Sequence, residues 1–325
     1  MSSRFSLCIG ILIVFTIICV FWNLNMGYIN LSWNDFFCST CDNHQIAELR
    51  INRVLAMLLA GIAVPSSGFV LQEYFQNPLA GPSVLGITSS ASLAVALYIF
   101  LSKDWILPDL SNNSLLAFSA IGGSILMMLI LLSLSHKFQD KTYLIIFGFL
   151  ISALSGAVVS ILQFFAENQS LKNYVLWSFG ANNQVTREQI GILSIITFVG
   201  LAIVFKTIKP LIGNSLGTAY AKSMGVNLNL LKYLVIISTS LLSAGITAFL
   251  GPILFIGIVV PHFSRMLFSP AKLWHQWILN MVIGMGIMLA FSIASEWSKL
   301  PINIITSLFG IPVILTMMLK RNKNF

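Results

Sequence analysis

Charged residues are scarce in this sequence. They make up 9% of its 325 residues, whereas hydrophobic residues make up 57% and the mean hydropathy is +0.89. Soluble domains carry about 25% charged residues. This number of charged residues cannot cover the surface of a soluble protein of this size. Most of the surface must therefore face lipid. The composition excludes a soluble catalytic domain and predicts an all-α, polytopic membrane protein that forms a single domain over residues 1–325.

Two common catalytic motifs are absent. The sequence contains no G-x-x-x-x-G-K-[ST] loop, which would cradle nucleotide phosphates, and no H-E-x-x-H zinc motif. We therefore predict that the chain is not an enzyme and binds no cofactor or metal of its own. Any ATP and magnesium used in its work must be bound by a separate ATPase subunit.

Carboxylates are also absent from the middle of the long apolar runs. Ion-coupled carriers usually keep ionisable groups at the bilayer midplane, where the coupling ion binds. Their absence favours an external source of energy. An ion-coupled secondary transporter stays open as the alternative from another class.

Ten apolar runs approach or reach the length of about 20 residues that a helix needs to cross a bilayer. They lie at roughly 5–25, 53–75, 83–101, 114–134, 143–165, 190–208, 231–250, 252–268, 275–295 and 302–319. With both termini cytoplasmic, twelve of the 18 Lys and Arg residues fall on the cytoplasmic side and six outside, as the positive-inside rule favours. The net charge of +8 is thus a topology signal and predicts no nucleic-acid partner.

The four cysteines do not match a metal site. Cys8 and Cys19 lie in the first apolar run, whereas Cys38 and Cys41 form a C-x-x-C pair in the loop that follows. A zinc site would need a fourth ligand besides these two and His44. A local disulfide or an ordinary thiol pair is therefore favoured over a metal site.

The second apolar run has arginines at one end and a turn at the other. Arg50 and Arg53 share a helix face because they are three residues apart. They either anchor the run at the membrane interface or pair with acids on a docking protein. Proline does not continue a helix comfortably. We therefore predict structural turns at Asn77, Pro78, Gly81, Pro82, Gly251, Pro252 and Pro261.

The longest predicted cytoplasmic segment is 206–232. We predict a short helix from Leu216 to Met224, stopped by Gly225 in a C-cap role, and a second short helix that begins near Asn227. A surface connector would need nothing more, but the same shape would offer a partner protein a rigid knob.

The fifth apolar run carries a stripe of small and polar residues. Its members are Gly148, Ser152, Ser155, Gly156, Val159, Ser160 and Gln163, which recur at helical spacing. Small residues let helices pack closely, whereas the hydroxyls and the amide could instead line a polar path. Both interpretations stay open on the residues alone.

Several stretches resemble one known family. RINRVLAMLLAG, SGFVLQ and NPLAGPSVLG within residues 50–86, MGVNL at 224–228 and GPILFIGIVVPH at 251–262 are similar to motifs of FecCD-type permeases. These are the membrane subunits of iron–siderophore, haem and vitamin B12 importers of the ATP-binding-cassette (ABC) class. The resemblance extends at lower density to the C-terminus.

The resemblance implies a type II importer-like permease with about ten helices in the bacterial plasma membrane. Its cargo would be an iron(III)–siderophore or related iron chelate, with haem or cobalamin as the alternative within the family. The implied partners are a second permease copy or paralogue, two cytoplasmic ATPase subunits and an extracytoplasmic substrate-binding protein. Membrane lipid would surround the permease.

The resemblance also implies three groups of site residues. Docking of the binding protein would use Arg50, Arg53 and Lys299. ATPase coupling, in a segment at about 214–230, would use Leu216, Gly217, Ala221, Met224, Gly225, Val226 and Asn227. The translocation path and its gate would use Lys141, Thr142, Ser152, Ser155, Gly156, Ser160 and Gln163.

Overall fold

The computed structural model describes residues 2–37, 41, 43–101, 112–137, 141–180, 185–268 and 272–321. Within these ranges the chain forms α-helices and one short 3-10 helix, Trp33–Phe36. The α-helices are α1 (Ser2–Asn25), α2 (His44–Phe75), α3 (Ile87–Leu101), α4 (Asn112–Lys137), α5 (Lys141–Phe165), α6 (Asn168–Ser178), α7 (Arg187–Ser215), α8 (Thr218–Ser223), α9 (Leu228–Leu250), α10 (Ile256–Leu267), α11 (Leu273–Ser298) and α12 (Ile302–Arg321). The all-α prediction is confirmed.

Seven helices of the described chain are long and apolar enough to cross a membrane: α1, α2, α4, α5, α7, α9 and α11. Three further apolar helices, α3, α10 and α12, are shorter. These ten correspond to the ten predicted apolar runs, whereas α6 and α8 lie between runs. The count of ten complete spans and the orientation of the termini stay predictions.

α2 is the central helix of the bundle. Most of its residues from Ala47 to Tyr74 are buried, and it packs against α7, α9, α10 and α11. A Cβ atom at Gly61 would lie 2.5 Å from the carbonyl oxygen of Gly284 in α11. The helix backbones therefore touch, which strengthens van der Waals packing where lipid provides little hydrophobic drive for helix association.

Two breaks in the helices hold most of the predicted turn residues. α2 ends at Phe75, and Gln76 adopts the left-handed conformation with φ 53°. Residues 76–86 then lead to α3 and include Asn77, Pro78, Gly81 and Pro82. The second break follows α9, where Gly251 has φ 75° and Pro252 continues a non-helical path to α10.

One predicted turn is wrong. Pro261 does not end the eighth run, because it lies inside α10, which continues to Leu267. Proline removes the helical hydrogen bond to the carbonyl four residues earlier, here that of Gly257. The side-chain amide of Gln72 in α2 donates to the carbonyls of Gly257 and Ile258, at 3.5 and 3.4 Å. The neighbouring helix thus satisfies the carbonyl that the proline leaves free.

The connector between α7 and α9 also differs from the prediction. α7 continues through Pro210 to Ser215, so the short helix is only Thr218–Ser223. The predicted second short helix is wrong, because Asn227 instead caps the long helix α9. Its side chain accepts a hydrogen bond from the Leu230 N–H at 3.0 Å.

Two adjacent glycines on α4 test the close helix packing. A Cβ at Gly123 would lie 2.4 Å from the Ser90 carbonyl oxygen of α3, whereas a Cβ at Gly122 would meet nothing within 4 Å. Alanine improves helix propensity by about 1 kcal/mol at either position, but overpacking costs about 1–3 kcal/mol. We expect Gly123→Ala to lower the thermal midpoint of the detergent-solubilised protein, and Gly122→Ala to keep or raise it. Equal midpoints for the two variants would contradict the α3–α4 packing.

Candidate functional site

α8 and its flanking turns, residues 216–226, form a knob fixed to the end of α7. Gly225 has φ +76°, a conformation that residues with a side chain rarely adopt. The N–H groups of Gly225 and Val226 donate to carbonyls of α8, both at 3.0 Å, which is the Schellman arrangement. Ala221 is buried against Gly213 of α7. Backbone geometry and packing together make the knob rigid.

The free face of the knob exposes an apolar ridge. Leu216, Tyr220 and Met224 are 61%, 50% and 58% exposed. Tyr220 and Met224 are four residues apart, so their side chains lie on one helix face. Clustered exposed apolar side chains mark protein interaction sites. Tyr220 was not among the residues predicted for coupling, although its spacing from Leu216 and Met224 could have revealed it.

The other residues predicted for coupling lie inside the knob or at its edges. Gly217 precedes α8 with φ +105°, and Asn227 caps α9. Ala221, Gly225 and Val226 hold α8 against α7. Their observed contacts shape the knob, whereas the ridge is the surface that a partner could touch.

The start of α5 and the last turn of α7 meet at the end of α2. Lys141 Nζ donates to the Tyr74 carbonyl at 3.0 Å and to Asn214 Oδ1 at 2.5 Å, and it lies 4.4 Å from the centroid of the Tyr74 ring. The Asn214 amide donates to the carbonyls of Glu73 and Tyr74, at 3.3 and 3.1 Å. We call these four residues the α2–α5–α7 junction.

α10 binds the same end of α2. Arg265 Nη1 donates to Gln72 Oε1 at 3.0 Å, and Arg265 Nη2 lies 2.8 Å from Glu73 Oε1 in an ion pair. The last turn of α2 is therefore held by three helices, α5, α7 and α10.

One side of the predicted α5 stripe packs inside the chain. Gly148, Ser155 and Val159 are buried. Ser152 is half-buried, and its hydroxyl donates to the carbonyls of Gly148 at 2.9 Å and Ser83 at 3.3 Å. These residues hold α5 against α3 and the turn that precedes it.

The other side of the stripe is open. Gly156 and Ser160 are exposed, Gln163 is half-buried, and Thr142 at the start of α5 is exposed. The Ser160 hydroxyl donates to the Gly156 carbonyl at 3.0 Å, so the surface is only weakly polar. The role of these residues in lining a transport path stays a prediction. Of the residues predicted for that role, these are the ones whose side of α5 is open.

The arginines of α2 face inward at the opposite end of the bundle. Arg50 and Arg53 are 5% and 4% exposed. Arg50 donates to the carbonyls of Leu24 at 3.0 Å and Ile29 at 2.5 Å. Arg53 forms an ion pair with Glu296 of α11 at 2.6 Å. These contacts clamp the end of α1, the loop after it and the end of α11 around α2.

Arg53 extends this clamp by donating to the carbonyls of Asn23 at 2.6 Å and Met26 at 3.2 Å. Of the residues predicted for docking, Lys299 is the exposed one, and its ammonium lies 5.5 Å from the centroid of the Tyr28 ring. The docking role of all three residues stays a prediction, and the structure adds a structural role for the two arginines.

One catalytic string in the sequence lacks its structural context. Residues 213–217 read Gly-Asn-Ser-Leu-Gly and match G-x-S-x-G, the nucleophile elbow of α/β-hydrolases. That motif needs a strand before the serine and a helix after it. Here Ser215 ends α7, and its hydroxyl donates to the Ile212 carbonyl at 2.7 Å. The string is therefore part of the knob's attachment.

Cysteine and metal chemistry are sparse in the described chain. Cys41 is disulfide-bonded, Cys8 and Cys19 are free, and Cys38 lies outside the described residues. The described residues contain no group of three or more His, Cys, Asp or Glu side chains that could hold a metal ion.

The helix bundle and its knob define a multi-pass membrane permease. Comparison with known families makes this specific, because the FecCD transport family matches residues 14–320. The chain belongs to the FecCD transport family. It is the permease subunit of an ABC importer in the bacterial inner membrane, and it is not an enzyme. The predicted family, class and multi-pass location are confirmed.

Individual relatives carry several different cargoes. The hemin transport system permease protein HmuU of Yersinia pestis is 29% identical over 98% of this chain and 96% of its own length. A probable iron chelatin permease of Helicobacter pylori is 30% identical over 85% of this chain and 82% of its own. The vitamin B12 permease BtuC of Vibrio parahaemolyticus is 29% identical, covering 87% and 85% of the two chains.

A solved structure has the same fold. It is the inward-facing conformation of a chain described as a metal-chelate type ABC transporter, with a TM-score of 0.83, 26% identity and coverage of 97% of this chain and 99% of that one.

The buried ion pair at the arginine clamp yields a stability prediction. Removing one partner of a buried pair costs about 3–5 kcal/mol, whereas replacing both partners by apolar residues is often close to neutral. We expect Arg53→Met to lower the thermal midpoint strongly and the double variant Arg53→Met/Glu296→Leu to recover part of the loss. Lys299→Met, at an exposed cation of the same end, serves as the control and should leave the midpoint unchanged. If the losses in thermal midpoint of Arg53→Met and Glu296→Leu simply add in the double variant, that result would contradict the ion pair.

Proposed function

We propose that this permease carries an iron(III)–siderophore or a related iron chelate across the bacterial plasma membrane. In this proposal a second permease copy or paralogue completes the path, two ATPase subunits bind the cytoplasmic side, and an extracytoplasmic binding protein delivers the cargo. ATP-driven closure of the ATPases pushes on the knob, and the two permeases alternate between outward and inward access.

The observation that carries the ATPase-driven transport in this proposal is the apolar ridge on a rigid knob. A membrane conduit without its own ATP site needs a surface on which a motor can act, and that surface must not deform. The Schellman cap and the Ala221–Gly213 packing provide stiffness. Leu216, Tyr220 and Met224 provide contact area that water would otherwise cover.

The relatives support an iron chelate as the cargo. One is a hemin permease matched along almost its whole length, and another is a probable iron chelatin permease. Haem is therefore the second candidate, and cobalamin follows from the vitamin B12 relative. A weakly polar path at Gly156 and Ser160 fits a conduit that leaves most of the affinity to the binding protein.

Uptake by a deletion strain tests the cargo. Cells that lack this gene and cells that carry it are supplied with labelled ferric siderophores, hemin and cobalamin. We expect gene-dependent uptake of a ferric siderophore or another iron chelate that stops when the ATPase subunit is removed. Uptake that persists in vesicles without any ATPase would instead support an ion-coupled carrier.

A single charge on the ridge tests the motor contact. Tyr220→Glu puts a carboxylate where the proposal expects apolar contact, so we expect the ATPase to be lost on co-purification and uptake to stop. Thr218→Glu adds the same charge at the first position of α8, two residues away, where an acid suits the helix dipole. We expect this control to retain the ATPase. Both variants should reach wild-type abundance in the membrane, and ATPase retention by Tyr220→Glu would refute the contact.

A further inference from the structure

The α2–α5–α7 junction connects the knob to the helix that carries the open polar stripe. On one side, Asn214 lies in the last turn of α7, and the knob begins two residues later. The Gly217 N–H donates to the Asn214 carbonyl at 3.2 Å, and the Leu216 N–H donates to the Gly213 carbonyl at 3.2 Å. A displacement of the knob is therefore passed to the backbone of Asn214.

On the other side, Lys141 is the first residue of α5. Its ammonium has two oxygen acceptors, Tyr74 O and Asn214 Oδ1, at 3.0 and 2.5 Å. Charge-assisted bonds of this kind are roughly twice as strong as neutral ones. Asn214 is 3% exposed, so water cannot readily replace the bond to the lysine. Lys141 is thus tied to both α7 and the end of α2, and a movement of Asn214 pulls on it.

Lys141 is the first anchored residue of α5, and the next buried residues, Leu144 and Gly148, lie one and two turns further along the helix. Gly148, two turns on, packs against Leu85, where a Cβ would lie 2.6 Å from the Leu85 Cα. Thr142 and Tyr143, between these points, are exposed. A displacement of Lys141 therefore acts first on the end of α5 that precedes the Leu144 contact.

We propose that the Lys141–Asn214 hydrogen bond transmits movement of the knob to the start of α5. Lys141 and Asn214 are then positioning residues of the transport cycle: they touch no cargo and no nucleotide, and they fix how far the α5 end travels when the knob is pushed. The inference rests on the proposed ATPase contact at the knob and adds the route by which that contact reaches the path.

Two reporter cysteines separate movement of the knob from movement of α5. Ser223→Cys reports on the knob and Thr142→Cys on the start of α5; both positions are exposed. The permease is reconstituted with its ATPase subunits in proteoliposomes, and the rate of maleimide labelling is measured with and without ATP and vanadate. The parent chain, with its own four cysteines, gives the background.

We expect ATP to change labelling at both reporters in the otherwise unaltered chain. In Lys141→Met, which keeps the stem and removes the donor, and in Asn214→Leu, which removes the acceptor, the response at Thr142→Cys should be lost and that at Ser223→Cys retained. Lys141→Arg keeps a charged donor and should retain both responses. Lys137→Met, at an exposed lysine of α4, is the matched control.

The outcomes distinguish this inference from the proposed function. No ATP response at Ser223→Cys in the unaltered background would refute the ATPase contact and the inference with it. A Thr142→Cys response that survives in both Lys141→Met and Asn214→Leu would overturn the inference alone. Membrane abundance and ATPase co-purification identify any variant that fails to fold, and the variant on the other side of the bond then decides the question.

Discussion

Other helices enclose α2 over most of its length, and this enclosure sets the requirements for the rest of the chain. The backbones of α2 and α11 touch at Gly61 and Gly284, and those of α2 and α10 touch at Gly68 and Gly257. Polar groups on an enclosed helix must find partners within the protein, because neither lipid nor water reaches them. Helices that pack on α2 therefore bring polar groups to defined places, as Trp277 of α11 does by donating to Ser66 at 3.0 Å.

The charges on α2 follow from the same constraint. One ion pair, Arg53–Glu296, lies toward its first turns, and another, Glu73–Arg265, lies in its last turn. The twenty residue steps from Arg53 to Glu73 span about 30 Å of helix, which is about the thickness of the hydrocarbon core. The two pairs thus lie about one hydrocarbon thickness apart, near the two ends of α2, where a charge costs less than at the bilayer centre, and they fix α11 and α10 to those ends.

The sequence predicts local features of this fold better than long-range ones. Apolar run length locates the helices, and a glycine after an alanine-rich turn predicts the cap at Gly225. The burial of Arg50 and Arg53 could not be foreseen, because their partners include Glu296, far along the chain, and the carbonyls of Met26 and Ile29, in a loop whose path has no local signature. The proline rule failed at Pro261 because Gln72, 185 residues from Gly257, supplies the missing donor. The place of Tyr220 on the ridge, by contrast, could have been predicted from its spacing to Leu216 and Met224 alone.

The junction on which transmission depends is also the C-terminal cap of α2. The last carbonyls of a helix have no partner within it, and here those of Glu73 and Tyr74 accept from Asn214 and Lys141. A cation at this end is further favoured by the helix dipole. Moving α7 without α5, or α5 without α7, would leave buried acceptors unsatisfied at a cost of about 1–3 kcal/mol each. The least costly movement keeps the three helix ends together, so the cap of α2 couples α7 to α5.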